Sequence, residues 1–315
     1  MTLDQATSQF VAAASQPGSV PIHELPVESA RAFGTRLIPM YGSGPELESV
    51  EQLDLKAADG GSFAIRCLRP ADTRGVIVYL HGGGWVVGGG LDSNDTMARI
   101  LASATRCTVV LVDYRLAPEH PFPIPLRDAS FATAWAAENL ARLAASGAPL
   151  VVAGDSAGGN LAIGVGRLAR DGGPEISQLV LAYPVADADF ERPSYNAPEN
   201  QLLLDRRGME WFWDNYLPDP ASRMDPDASP VRDPDLAGVP PTVILTAEHD
   251  PLRDEGEELA ERLADAGVEV ELRRFDGQMH GFLTMVNILP GSAEGLGFIA
   301  DRINAALELR RPDRQ

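Results

Sequence analysis

Five stretches of this chain, residues 75–80, 107–112, 149–153, 178–183 and 242–247, are apolar almost without interruption. A strand that is apolar on every residue must be buried on both faces, which is the habit of a parallel sheet with helices on either side. Helix-like stretches at 93–105, 127–146, 160–170, 252–266 and 293–309 fall between and after these runs. Buried strands alternating with helices predict an α/β fold with a mostly parallel sheet covered on both faces. Residues 50–56 and 62–69 instead alternate apolar with polar, and Asp59-Gly60-Gly61 between them predicts a hairpin. Residues 268–275 also alternate and are expected nearer the sheet edge. In such sheets, sites form beyond the carboxyl ends of the strands.

Two regions stand outside the alternation. Residues 184–240 are rich in Pro and Asp and carry the aromatic segment Trp211-Phe212-Trp213-Asp214-Asn215-Tyr216-Leu217. A surface loop rarely holds so many aromatics, so an insertion packed over the sheet's upper edge is expected. Residues 10–14 and 27–33 read as short amphipathic helices ahead of the first strand. The expected division is 1–48 as the N-terminal part of a cap, 49–183 with 241–315 as the catalytic α/β unit, and 184–240 as the cap insertion. A length of 315 residues suits one large α/β domain with such an accessory.

Composition removes several function classes. With 45 acidic against 26 basic residues the net charge is −19, which disfavours nucleic acid and anionic membranes as partners. Lys56 is the sole lysine. A phosphate-binding Gly-Lys-Ser/Thr loop is therefore absent, and no Ser-x-x-Lys pair exists, because Leu53 stands where that serine would be. Cys67 and Cys107 lie in apolar runs and read as reduced core residues, neither a disulfide framework nor a metal site. Met1-Thr2-Leu3-Asp4-Gln5 lacks the basic start of a secretory signal, and no apolar run nears the ~20 residues needed to span a bilayer. A cytoplasmic protein without membrane insertion is expected.

The chemistry centres on Gly154-Asp155-Ser156-Ala157-Gly158, set between an apolar run and a helix-like one. A serine on a sharp strand-to-helix turn projects its oxygen, and flanking glycines give the turn room. The helix behind it aims its positive end at the site. A serine hydroxyl attacks only when a base takes its proton, and the base needs an orienting group. In strand-turn-helix hydrolases the acid and then the histidine follow the serine. Of the five histidines, His23, His81 and His120 precede Ser156. His249 and His280 follow it, and only His280 leaves room for an acid after an intervening strand. Asp250 fits as that acid because it ends the run before Pro251. Asp254 is the rival carboxylate, expected in the first turn of the next helix, where the helix dipole accounts for it. His249 is expected to be structural.

Acyl transfer also needs donors for a developing oxyanion. His81-Gly82-Gly83-Gly84-Trp85 follows the run 75–80 and lets backbone N–H groups approach a substrate; Ala157, next after the nucleophile, supplies the other donor. Gly88-Gly89-Gly90 lacks dinucleotide-fingerprint spacing and reads as a loop before a helix.

These pieces, with Asp113-Tyr114-Arg115-Leu116-Ala117-Pro118-Glu119-His120-Pro121-Phe122-Pro123, Asp250-Pro251-Leu252-Arg253-Asp254-Glu255 and His280-Gly281-Phe282, resemble the hormone-sensitive-lipase family of α/β-hydrolases, in particular its bacterial esterases. The resemblance covers residues 81–282 in the family's order. It implies an eight-stranded sheet with a helical cap, and Ser156, Asp250 and His280 as a triad. It further implies Gly83, Gly84 and Ala157 as the oxyanion hole, with His81 and Gly82 supporting the loop. No cofactor and no metal are implied. A small ester is the implied substrate, of short to medium acyl chain, with Trp85, Trp211, Phe212, Trp213 and Phe282 as candidate pocket residues. Homodimerisation through the last strand and helix is a further implication. One departure is Ile124-Pro125-Leu126-Arg127, where relatives usually carry small residues and an acid before Asp128. Amides, carbamates or acetylated natural products would use the same machinery. Plant gibberellin receptors resemble the family and bind without hydrolysis, but they lack the histidine that stands here as His280.

Overall fold

The fold is described by a computed structural model for residues 2–15, 20–88 and 90–309, without the side chains of residues 33 and 34. Eight strands form one sheet in the order β1-β2-β4-β3-β5-β6-β7-β8. β1 (Ser49–Lys56) and β2 (Ser62–Arg69) make the expected antiparallel hairpin, with Leu53 opposite Ile65. β2 runs antiparallel to β4 (Cys107–Asp113). From β4 onward every neighbouring pair is parallel, through β3 (Gly75–Leu80), β5 (Leu150–Asp155), β6 (Gln178–Ala182), β7 (Thr242–His249) and β8 (Val270–Met279).

Every residue of β3, β5, β6 and β7 is buried, as strands apolar on both faces require. Alternate residues of β3 divide between two apolar layers: Val76, Val78 and Leu80 join one, Ile77 and Tyr79 the other. Helices Ile124–Glu138, Ala157–Arg170 and Arg253–Asp265 cover the first layer, and Gly90–Thr105 and Pro290–Leu309 the second. Each fully buried Val, Leu or Ile contributes roughly 1.5–3 kcal/mol relative to exposure, so the sheet is held rigidly from both sides.

The elements differ from expectation mainly at their ends. The helix expected over 127–146 begins at Ile124, with Pro125 in its first turn, where a missing N–H costs nothing. It stops at Glu138 and is followed by the single turn Leu140–Leu143. β7 runs to His249, past an irregularity in its pairing with β8. Gly90 opens the next helix rather than ending a loop, while Gly89 and Met1 lie outside the described residues.

Residues 184–240 contain helix Arg206–Tyr216 and several short turns. Asp205 caps the helix by accepting from the Gly208 N–H at 2.7 Å. Met209, Phe212, Trp213 and Tyr216 form its buried face, at the spacing one side of a helix dictates. At the other end of the chain, Asp4 caps helix Gln5–Ala14 and also ties it to β8, through Asp4 N–H to the Gly277 carbonyl (3.0 Å) and Gln278 Nε2 to Asp4 Oδ2 (2.7 Å). Arg31 of helix Val27–Gly34 donates to the Val86 carbonyl at 2.9 Å and the Ala117 carbonyl at 3.0 Å. Among the described residues no helix is long and apolar enough to cross a membrane.

Candidate active site

Ser156 stands between the end of β5 and helix Ala157–Arg170 with φ +55° and ψ −119°. A left-handed φ is strained for a residue with a Cβ and persists only where surroundings impose it. Here the Ser156 N–H donates to the Ala182 carbonyl at 2.8 Å, and its carbonyl accepts from Val185 N–H at 3.2 Å. The flanking glycines are needed because the turn presses on β3. A Cβ on Gly158 would overlap the Leu80 carbonyl, and one on Gly154 would overlap the Gly158 carbonyl.

His280 follows β8, and its Nε2 lies 3.0 Å from Ser156 Oγ. Its Nδ1 lies 2.7 Å from Asp250 Oδ2. Asp250 is fully buried at the end of β7, and its other oxygen accepts from Leu252 N–H at 2.8 Å. The rival Asp254 is occupied elsewhere: it accepts from Ser194 N–H at 2.8 Å and pairs with Arg253 at 2.9 Å. His249 is buried, and among the described residues neither of its ring nitrogens is hydrogen-bonded.

Asp155 precedes the serine and faces the glycine loop. Its Oδ1 accepts from Gly82 N–H at 2.9 Å and from the Tyr79 hydroxyl at 2.8 Å. Burial pushes the Asp155 carboxyl above the usual carboxylate range, against the stabilising bond from Tyr79. With Gly82 held, Gly83 (φ +119°) and Gly84 (φ +56°) carry the loop through conformations that glycine adopts freely. Among the described residues their N–H groups donate to no protein acceptor. Behind the loop the His81 ring stacks on Tyr114 at 4.4 Å, its Nδ1 lies 2.7 Å from the Gly82 carbonyl, and the Tyr114 hydroxyl donates to the His81 carbonyl at 2.7 Å. No cluster of side chains suited to a metal ion occurs among the described residues.

The sequence profile of the alpha/beta hydrolase fold matches residues 77–284. Carboxylesterase NlhH of Mycobacterium tuberculosis is 43% identical over 230 residues, covering 72% of each chain. Ethyl acetate hydrolase of Pseudomonas putida is 36% identical over 308 residues, 95% of this chain and 96% of its own. The chain belongs to the hormone-sensitive-lipase family of α/β-hydrolases. Among solved members of this fold, an ester hydrolase from the metagenome of Lake Arreo, in complex with a bipyridine phosphonate derivative, superimposes with a TM-score of 0.91 at 32% identity, covering 98% of this chain and 100% of that one.

In this α/β-hydrolase a cavity of about 270 Å³ opens onto Ser156 and His280. Its apolar wall comes from Ile22, Leu203, Leu204, Met209 and Phe212. Of the five aromatics expected to line a pocket, Phe212 alone does so. Trp85 and Trp213 are fully buried instead, packed on each other at 5.0 Å, with Trp85 stacked on Tyr216 at 4.1 Å. Phe282 is buried against Tyr183 and Phe275, and Trp211 packs on the Phe212 ring at 5.2 Å without reaching the cavity. The reason is helical geometry. Adjacent residues point ~100° apart, so Phe212 and Trp213 cannot both face the same space. The Phe212 ring occupies the position that a side chain on Gly84 would need.

Several site residues carried little sequence signal. Tyr79 sits in a continuous apolar run, and nothing there marks its hydroxyl as a partner for Asp155. Glu248 Oε2 accepts from Gly277 N–H at 2.7 Å, at the irregular pairing just before His280. Leu202, Leu203 and Leu204 form an apolar run between Gln201 and Asp205, the one local hint that this loop faces something apolar; the last two line the cavity.

Proposed function

We propose that this carboxylesterase works through Ser156, with His280 as its base and Asp250 as the group that orients the imidazole. The observation that carries the proposal is the continuous line of contacts from Ser156 Oγ to His280 Nε2 and from His280 Nδ1 to buried Asp250. As Oγ attacks the ester carbonyl, its proton passes to Nε2. Asp250, accepting at Nδ1, favours the tautomer whose Nε2 lone pair faces the serine and stabilises the imidazolium that forms. The carbonyl oxygen becomes an oxyanion, for which the N–H groups of Gly83, Gly84 and Ala157 are the proposed donors. Among the described residues these three N–H groups donate to no protein acceptor, which supports this role. The proton on Nε2 then goes to the leaving alcohol. Water, deprotonated by His280, releases the acid by the reverse steps.

A cavity of about 270 Å³ supports short- to medium-chain acyl esters. The ethyl acetate named for the Pseudomonas putida relative agrees in kind. Residues 1–48 and 184–240 are proposed to form a cap, a division supported by Ile22 and Tyr41 from the first and Leu204 and Phe212 from the second lining one cavity. Homodimerisation through β8 and helix Pro290–Leu309 is part of the proposal, supported by the exposed Leu272 on the edge strand, and light scattering tests it. A cytoplasmic site of action is proposed with it, supported by two buried unpaired cysteines.

The purified protein is expected to cleave short-chain aryl esters, and Ser156→Ala to lower kcat by on the order of 10⁴–10⁶. An alanine variant as active as the parent would sink the assignment. A phosphonate probe should label Ser156, which separates a hydrolase from a receptor of the same fold.

A further inference from the structure

The cavity lining also includes polar side chains. Tyr41 and Asn94 are two of them, and each is 7% exposed. Among the described residues neither the Tyr41 hydroxyl nor the Asn94 carboxamide has a hydrogen-bond partner in the protein, and both residues open onto the cavity. Polar groups on residues this little exposed are normally paired, so here water or a ligand in the cavity must serve as the partner. Both are also held in place. The Tyr41 carbonyl accepts from Asn287 Nδ2 at 2.6 Å, and the next carbonyl, of Gly42, accepts from the Thr96 hydroxyl. Asn94 sits in helix Gly90–Thr105, the same helix that carries Thr96. The backbone that carries Tyr41 is thus tied to the helix that carries Asn94, which favours recognition over accidental exposure.

We propose that Tyr41 and Asn94 form a polar subsite that binds a neutral oxygen of the ester substrate: an ether, hydroxyl or carbonyl group one or a few bonds from the scissile ester. This rests on the carboxylesterase reading of the same cavity and names the substrate class within it. Charge sets the class. Among the described residues no lysine or arginine lines the cavity, while Asp155 does. A carboxylate substituent would find repulsion and no counter-ion. A plain alkyl chain would strip water from two polar groups without replacing its hydrogen bonds. An uncharged acceptor oxygen satisfies the Tyr41 O–H and an Asn94 N–H together.

The test uses isosteric ester pairs that differ by one oxygen. In the acyl arm, 4-nitrophenyl methoxyacetate is compared with 4-nitrophenyl butanoate; in the alcohol arm, 2-methoxyethyl butanoate with butyl butanoate. The ratio of kcat/KM within each pair is measured for the parent, Tyr41→Phe and Asn94→Leu, so intrinsic reactivity cancels between proteins. In one arm each substitution is expected to lower the ratio about three- to tenfold, the worth of one neutral hydrogen bond. The arm affected tells which part of the substrate the subsite holds. Ratios unchanged in both arms overturn the proposal. So does an equal fall in both members of a pair, because that marks Tyr41 and Asn94 as merely structural. A parent that cleaves none of the four esters would overturn the carboxylesterase reading along with it.

Discussion

Asp155 and Gly82 meet through a single hydrogen bond of 2.9 Å, although 73 positions separate them in the chain. That bond links the serine turn to the glycine loop, the two segments whose N–H groups are proposed to converge on one oxygen. The Tyr79 hydroxyl shares the same carboxylate oxygen. Asp155→Ala leaves the buried Tyr79 hydroxyl unpaired, at about 1–3 kcal/mol, and frees the half-buried Gly82 N–H. It is expected to lower kcat about 10²-fold with a smaller change in KM, because the loop loses its orientation. Asp155→Asn keeps an acceptor oxygen and is expected to retain at least about a tenth of parental kcat. Steady-state kinetics on one aryl ester decides; an alanine variant with parental kcat would remove Asp155 from the loop's positioning.

Asp250→Asn is predicted to preserve the fold and lower kcat by on the order of 10³–10⁴. The carboxamide can donate toward His280 Nδ1, which selects the tautomer with no lone pair facing Ser156. Circular dichroism should be unchanged while turnover falls. A loss of less than tenfold would argue against the orienting role.

Gly158→Ala is predicted to cost more stability than any surface change. The added carbon would overlap the backbone carbonyl of Leu80, which cannot move without breaking the junction of β3 with β5. Overpacking of this kind typically costs about 1–3 kcal/mol and here meets rigid backbone. The thermal midpoint should fall by several degrees or the variant should be insoluble; a parental midpoint would show that the turn can relax.

Glu255 offers a pH test. It is fully buried in helix Arg253–Asp265, with Oε1 accepting from Ala186 N–H at 2.8 Å and Oε2 unpartnered among the described residues. Burial holds its carboxyl well above the ordinary value of 4.5. The folded state therefore binds this proton more tightly than the unfolded chain does. Its contribution is complete below the unfolded value and is lost as pH rises toward the folded one. Glu255→Gln cannot ionise, so its thermal midpoint relative to the parent should rise between pH 5 and pH 9. A difference that is flat or falls with pH contradicts this.

The sheet was legible because a strand buried on both faces leaves an unmistakable run, and β3, β5, β6 and β7 are all of that kind. Chain order likewise singled out Asp250 and His280, which lie in one line of contacts with Ser156. The order of strands was not legible. That β4 lies outside β3 depends on which helix covers which face, and no local pattern encodes it.

The cavity wall was harder still. An aromatic segment announces burial but not direction. Within Trp211-Phe212-Trp213 one ring faces the serine, one fills the core beneath Trp85, and one packs on its neighbour. Asn94 and Tyr41 look ordinary in sequence, because an unpaired polar group becomes visible only once its surroundings are known.

The Phe212 ring fills the volume that a Cβ on Gly84 would take. Swapping residues 184–240 for the matching segment of a relative, to graft a new substrate range, would thus import a foreign ring position onto a loop shaped for this one. For enzyme engineering the helix Arg206–Tyr216 and the segment from His81 to Trp85 are a single exchangeable cassette, to be moved together or not at all.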